Sequence, residues 1–98
     1  MRQSAMERKI RELQQRVRIA REELAVLDEQ IEVLAEDAEE ARVRALVAES
    51  PLAQRESADA HRHLELAQRA ASSLRTEIAH CVEDRDRLLR ELPAGSRT

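Results

Sequence analysis

The chain of 98 residues contains no phenylalanine, tyrosine or tryptophan, and it has one glycine, two prolines and one cysteine. So few turn-forming residues argue against hairpins of β-strand, and a single glycine cannot form a glycine-rich phosphate-binding loop. One cysteine, Cys81, cannot form an intramolecular disulfide, which agrees with a reducing compartment. These absences fit poorly with an enzyme that needs a pocket, and we predict no catalytic residue.

The charge balance and the hydropathy pattern argue against two further classes. Seventeen basic and twenty acidic residues give a net charge of −3, so we expect no general attraction to nucleic acid or anionic lipid. No apolar run approaches the roughly 18 residues of a membrane span, and the N-terminus lacks the apolar core of a signal peptide. We therefore expect a cytoplasmic protein, and its preference for arginine and alanine suggests a bacterial source.

The residues that are abundant form a helical pattern. A content of 42% hydrophobic and 38% charged residues without aromatics is typical of a coiled coil. Apolar residues alternate at spacings of four and three, which predicts a helix from about residue 4 to 49 that needs a partner helix to cover its seam. This first seam comprises Met6, Ile10, Leu13, Val17, Ala20, Leu24, Leu27, Ile31, Leu34, Ala38, Ala41, Ala45 and Ala48.

A second seam is out of phase with the first, and the slip falls at Ser50-Pro51. Proline ends one helix and is well suited to the first turn of the next, with serine as its N-cap. We predict a turn at about 50–53, a second helix at about 53–92 and a frayed tail at 93–98. The second seam comprises Ala60, Leu64, Ala67, Ala71, Leu74, Ile78, Cys81, Arg85, Leu88 and Leu92.

The distribution of charge predicts how the two helices pair. Residues 1–21 carry seven basic and two acidic side chains, whereas residues 22–40 carry nine acidic and no basic ones. A parallel in-register dimer would place acid on acid, while folding back places the acidic stretch beside Arg62, Arg69 and Arg75. The prediction is an all-α, antiparallel two-helix coiled-coil hairpin spanning 1–98, with an alanine-rich and less stable turn end.

A two-helix hairpin has one layer of core and is marginally stable alone, so an additional contact surface is expected. Apolar residues outside the seams suggest such a surface, although scattered surface valines are also ordinary. Two hairpins could pair into a four-helix bundle, or another protein's helix could bind the same face. The predicted interface comprises Ile19, Val26, Val33 and Val47 on the first helix, and Val82 and Leu89 on the second.

The turn is the most distinctive local feature of the sequence. Its residues of interest are Glu49, Pro51, Leu52 and Arg55. They have two interpretations, a simple reversal of the chain or a presented tip in which Leu52 enters a partner's cleft.

Metal and anion sites have little support in the sequence. Zinc needs about four convergent ligands, and one straight helix cannot bring its scattered candidates together. We therefore predict no metal and no cofactor. Arg85 in the second seam is expected to reach Glu83, Asp84 or Asp86 at the rim, and an anion or nucleotide site with Arg87 and Arg90 is the alternative. The metal candidates considered are His61, His63, Glu65, His80 and Cys81.

These observations favour a non-catalytic coiled-coil module for protein–protein interaction, acting as an adaptor or regulator. Its expected partner is a second copy or a helix of another protein, rather than a membrane, nucleic acid or small molecule. The alternative is a transcription-associated regulator, which would be an anti-sigma-like or RNA-polymerase-binding hairpin. Such a regulator could also respond to a bound nucleotide.

Overall fold

A computed structural model describes residues 2–93 as two α-helices, and 96% of this part of the chain is helical, with no strand. Helix α1 spans Arg2–Ala48 and helix α2 spans Pro51–Glu91. The predicted all-α helical hairpin is therefore confirmed. The predicted tail, apart from Pro93, lies outside the described residues.

Both helices begin earlier than the sequence indicated, and the turn is shorter. Helix α1 already includes Arg2 rather than starting near residue 4, and it ends at Ala48. The turn consists of Glu49 and Ser50 instead of about 50–53, because α2 starts at Pro51 and not near 53. Ala48, predicted as a seam residue, is exposed because α1 ends there.

Specific backbone and side-chain contacts reverse the chain within two residues. Glu49 has a φ of 51°, in the left-handed region that ends many helices, and its N–H donates to the Ala45 carbonyl at 3.1 Å. The Ser50 hydroxyl oxygen accepts the Ala53 N–H at 3.1 Å, which caps α2. Pro51 then occupies the first helical position, where its missing N–H costs nothing.

The contacts of the chain divide it into two compact units, each made from a stretch of both helices. We call residues 2–23 and 74–93 the terminal unit, and residues 24–73 the turn unit. Each unit has its own buried side chains, and these differ in size.

Large side chains form the core of the terminal unit. Leu13, Val17 and Cys81 are buried together, and the partly buried side chains of Ile78, Val82 and Leu88 pack against them. Leu13 is the most completely buried large side chain among the described residues. Burial of a leucine or valine contributes about 1.5–3 kcal/mol, so this cluster is a principal source of stability.

Small side chains occupy the buried positions of the turn unit. Ala38, Ala41 and Ala45 of α1 and Ala71 of α2 are buried, while the leucines of this unit's seams are half-buried. Alanine allows two helices to approach closely but removes little apolar area from water. Each turn of helix therefore gains less hydrophobic stabilisation here than in the terminal unit.

An ion pair in the terminal unit agrees with antiparallel helices. Arg16 Nη2 lies 3.3 Å from Glu77 Oε1. Each residue immediately precedes a seam residue, Val17 or Ile78, and therefore lies on the same edge of its own seam. Like edges face each other only when paired helices run in opposite directions. Both side chains are about half exposed, so the pair favours this orientation more than it adds stability.

Candidate helix-binding surface

A shallow depression lies on the outer side of α1 in the turn unit. Its walls are formed by Val26, Glu29, Gln30 and Val33, with Leu34 of the seam at its edge. Val26 and Val33 are 55% and 57% exposed, although both are branched apolar residues. Two valines one heptad apart thus present an apolar strip that neither helix of the hairpin covers.

The arrangement of these four wall residues is the one that coiled coils use to receive a side chain. They occupy positions i, i+3, i+4 and i+7 of one helix. In a coiled coil, four residues at that spacing form the hole into which a facing helix inserts its knob. The depression therefore has the residue spacing of a coiled-coil hole.

The surroundings of the depression are strongly acidic. Residues 26–40 contain seven acidic residues and no basic one. Among residues 2–93, Glu29, Glu32 and Glu36 form no ion pair. A helix that lies in this depression would therefore meet an excess of negative charge.

Glu39 is one acid of this segment with a partner. Arg42 donates from Nε to Glu39 Oε2 at 3.0 Å and from Nη2 to Oε1 at 2.7 Å. These bonds, and then the charge of Arg42, lower the pKa of the Glu39 carboxyl, to which His61 adds a smaller effect. The same bonds raise the pKa of Arg42. Both groups are fully exposed, so the pair holds a local side-chain arrangement.

The other predicted interface residues lie in different environments. Ile19, in the terminal unit, is 43% exposed, and Val47, beside the turn, is 81% exposed. Val82 instead packs against the core of the terminal unit, and Leu89 is half-buried. The exposed part of the predicted interface therefore lies on α1.

A second apolar patch lies on α1 close to the turn. Val43, Leu46 and Val47 share one face at positions i, i+3 and i+4, and all three are exposed. Leu52, at the start of α2, is also exposed. Val43 and Leu46 were missed because neither belongs to a repeat of seven, although their spacing with Val47 was readable from the sequence.

Of the remaining residues predicted at the turn, two have a role in reversing the chain and the third is exposed to solvent. Glu49 supplies the left-handed residue and Pro51 begins α2, so both are accounted for by the reversal of the chain. Arg55 is exposed on the second turn of α2. A further link across the turn comes from Gln54, whose Nε2 donates to the Ala45 carbonyl at 3.5 Å.

The arginines considered for an anion site have carboxylate neighbours. Arg85 donates from Nε and Nη2 to Asp86 Oδ1 at 3.2 and 3.1 Å, as expected for a long side chain that reaches the rim. Arg87 pairs with Asp84 at 3.2 Å. Within residues 2–93 no three histidine, cysteine or acidic residues are grouped to hold a metal ion. Neither helix has an apolar stretch that would allow it to cross a membrane.

Comparison of the chain with models of protein families, with curated proteins and with solved structures finds no match.

Proposed function

We propose that this chain is a non-catalytic helix–helix interaction module, an adaptor or regulator that binds a partner α-helix along the outer side of α1. The observation that carries the proposal is the depression lined by Val26, Glu29, Gln30 and Val33. It combines the spacing of a coiled-coil hole with two valines that remain more than half exposed.

Physical considerations support a contact at this place. A pair of helices gives a single layer of core, and covering the exposed valines would add apolar burial at about 25 cal/mol per Å². The half-buried Leu34 at the edge of the depression makes that surface continuous with the seam. A docked helix would thus extend an existing apolar layer.

The test places a photo-crosslinking amino acid at Val33 in cells that express the chain. The control places the same amino acid at Leu66, which is 55% exposed on α2 and matches Val33 in exposure. We expect a protein adduct from position 33 and none from position 66. Val26→Glu should abolish the adduct while helical circular dichroism is retained. No adduct at position 33, or equal adducts at both positions, would contradict the proposal.

A further inference from the structure

The basic segment of α1 is complementary to its acidic segment, because each carries a shallow depression and their charges are opposite. In the terminal unit, Arg8, Arg11, Glu12 and Gln15 line a second shallow depression, again at i, i+3, i+4 and i+7, with Arg16 as a fifth lining residue. Residues 8–21 carry six basic side chains and one acidic one, against seven acidic and no basic side chains in residues 26–40. Among the described residues, Arg8 and Arg11 form no ion pair. Helix α1 thus contains a basic segment and an acidic segment that could pair with each other between two copies of the chain.

We propose that a second copy of this chain covers the candidate surface, with the basic segment of its α1 antiparallel to the acidic segment of the first. This inference rests on the proposed function, because it names the partner helix. The two copies meet at Ile19, which is exposed, and Ile19 of one contacts Ile19 of the other. Closed twofold pairs are the commonest form of self-association.

This register is set by the charges beside the exposed apolar residues. When Ile19 faces its own copy, Val26 faces residue 12 and enters the depression lined by Arg8, Arg11, Glu12 and Gln15. Like edges meet in antiparallel helices, so the neighbouring charges can be paired directly. Three charged pairs of opposite sign result: Arg2 with Asp37, Arg8 with Glu29, and Arg16, which also pairs with Glu77 of its own chain, with Glu23. The one pair of like sign is Arg18 with its own copy, and each Arg18 is paired with Glu22 of its own helix.

A shift by one heptad makes the pairing worse. If Ile19 faced Val26 instead, Arg8 would face Glu36 and Lys9 would face Asp37, but Glu22 and Glu23 would each face their own copies, and Arg2 would face Arg44. Like charges in contact disfavour association, so the register centred on Ile19 is selected over this one.

The first experiment measures mass by analytical ultracentrifugation and light scattering. The unmodified chain should form a dimer, with twice the 11.2 kDa of one chain, that dissociates as salt is raised. One variant carries Glu29→Lys and Asp37→Lys, and another carries Arg2→Glu and Arg8→Glu. Each alone should be monomeric, and an equimolar mixture should restore the dimer. The control, Glu65→Lys with Glu83→Lys on α2, makes the same charge change as the first variant and should remain dimeric.

The second experiment tests the contact at Ile19. In a Cys81→Ala background, Ile19→Cys should form an intermolecular disulfide on mild oxidation, whereas Leu66→Cys should form none. A monomer at every concentration up to about 1 mM, a dimer that both charge variants leave intact, or a mixture that stays monomeric would each overturn the proposal. If position 33 then crosslinks to a different protein, the proposed function stands and only the second copy is rejected.

Discussion

At the scale of single residues, the reversal of the chain depends on the turn formed by Glu49 and Ser50. A left-handed Glu49 ends α1, and the Ser50 side chain satisfies an N–H group at the start of α2. The sequence showed that a break occurs here, because serine and proline mark it. It did not show that two residues suffice, because Glu49 is an ordinary helix former whose left-handed conformation only the close approach of the two helices requires.

Removal of the Ser50 hydroxyl should weaken the start of α2. Ser50→Ala leaves the Ala53 N–H without its side-chain acceptor and should lower the free energy of unfolding by about 1 kcal/mol. Ser50→Asp preserves an acceptor and should retain most of the stability. Chemical denaturation followed by circular dichroism measures the difference, with the exposed Ser73→Ala as the control. Equal losses for Ser50→Ala and Ser73→Ala would show that the cap contributes nothing.

The Glu39–Arg42 pair predicts a measurable titration. Arg42→Gln removes the charge and the bidentate bond that lower the Glu39 pKa, so that pKa should rise towards its ordinary value. Because the folded pKa is lowered, the pair's favourable contribution is present above the ordinary glutamate range and is lost as pH falls through the lowered value. Carboxyl NMR shifts recorded against pH give the pKa directly. Arg44→Gln serves as the control and should leave the Glu39 titration unchanged.

At the scale of helices, the buried positions of the seams were predictable from the sequence, but the burial of residues at the edges of the seams was not. Spacings of four and three identify buried positions such as Leu13 and Ala38 directly, because one face of a helix must be covered. Val82 was predicted as part of a separate surface, yet it lies at the edge of its seam and packs on the core. Sequence spacing gives the direction of a side chain but not how far the facing helix extends over it.

The unequal cores of the two units lead to unequal effects of substitution. Leu13→Ala in the terminal unit removes a fully buried side chain and should cost about 2–5 kcal/mol of unfolding free energy. Val33→Ala at the exposed surface should change that energy by less than about 0.5 kcal/mol in a sample dilute enough to be monomeric. Urea denaturation compares the two variants. Similar losses for both would mean that the buried leucine does not carry the core.

At the scale of the whole molecule, charge segregation allowed the antiparallel hairpin to be predicted without a homologue. The Arg16–Glu77 pair joins like edges of the two seams, which agrees with that direction. The candidate binding surface was predictable in part, because Val26 and Val33 repeat every seven residues. Its concave shape was not, since that depends on how the side chains of Glu29 and Gln30 stand beside the valines.

The hairpin predicts that the start of α1 and the end of α2 are close together. Gln3, Met6, Glu91 and Pro93 line one depression in the terminal unit. Spin labels at positions 3 and 91, in a Cys81→Ala background, should therefore give a short distance in pulsed electron paramagnetic resonance. An uninterrupted helix would separate them by roughly 130 Å, at about 1.5 Å per residue. Dilution with unlabelled protein keeps the measurement within one chain, and a distance beyond the instrument's range would reject the hairpin.

The buried thiol of Cys81 has a practical consequence. It is the protein's single cysteine and lies inside the terminal core, so an alkylating reagent can reach it only while that core is open. The rate at which the unmodified protein gains one alkyl group, followed by mass spectrometry, therefore reports how often this core exposes its interior. Alkylation of Cys81 therefore measures local opening of the core in the unlabelled protein. Intrinsic fluorescence cannot do so, because the sequence contains no aromatic residue.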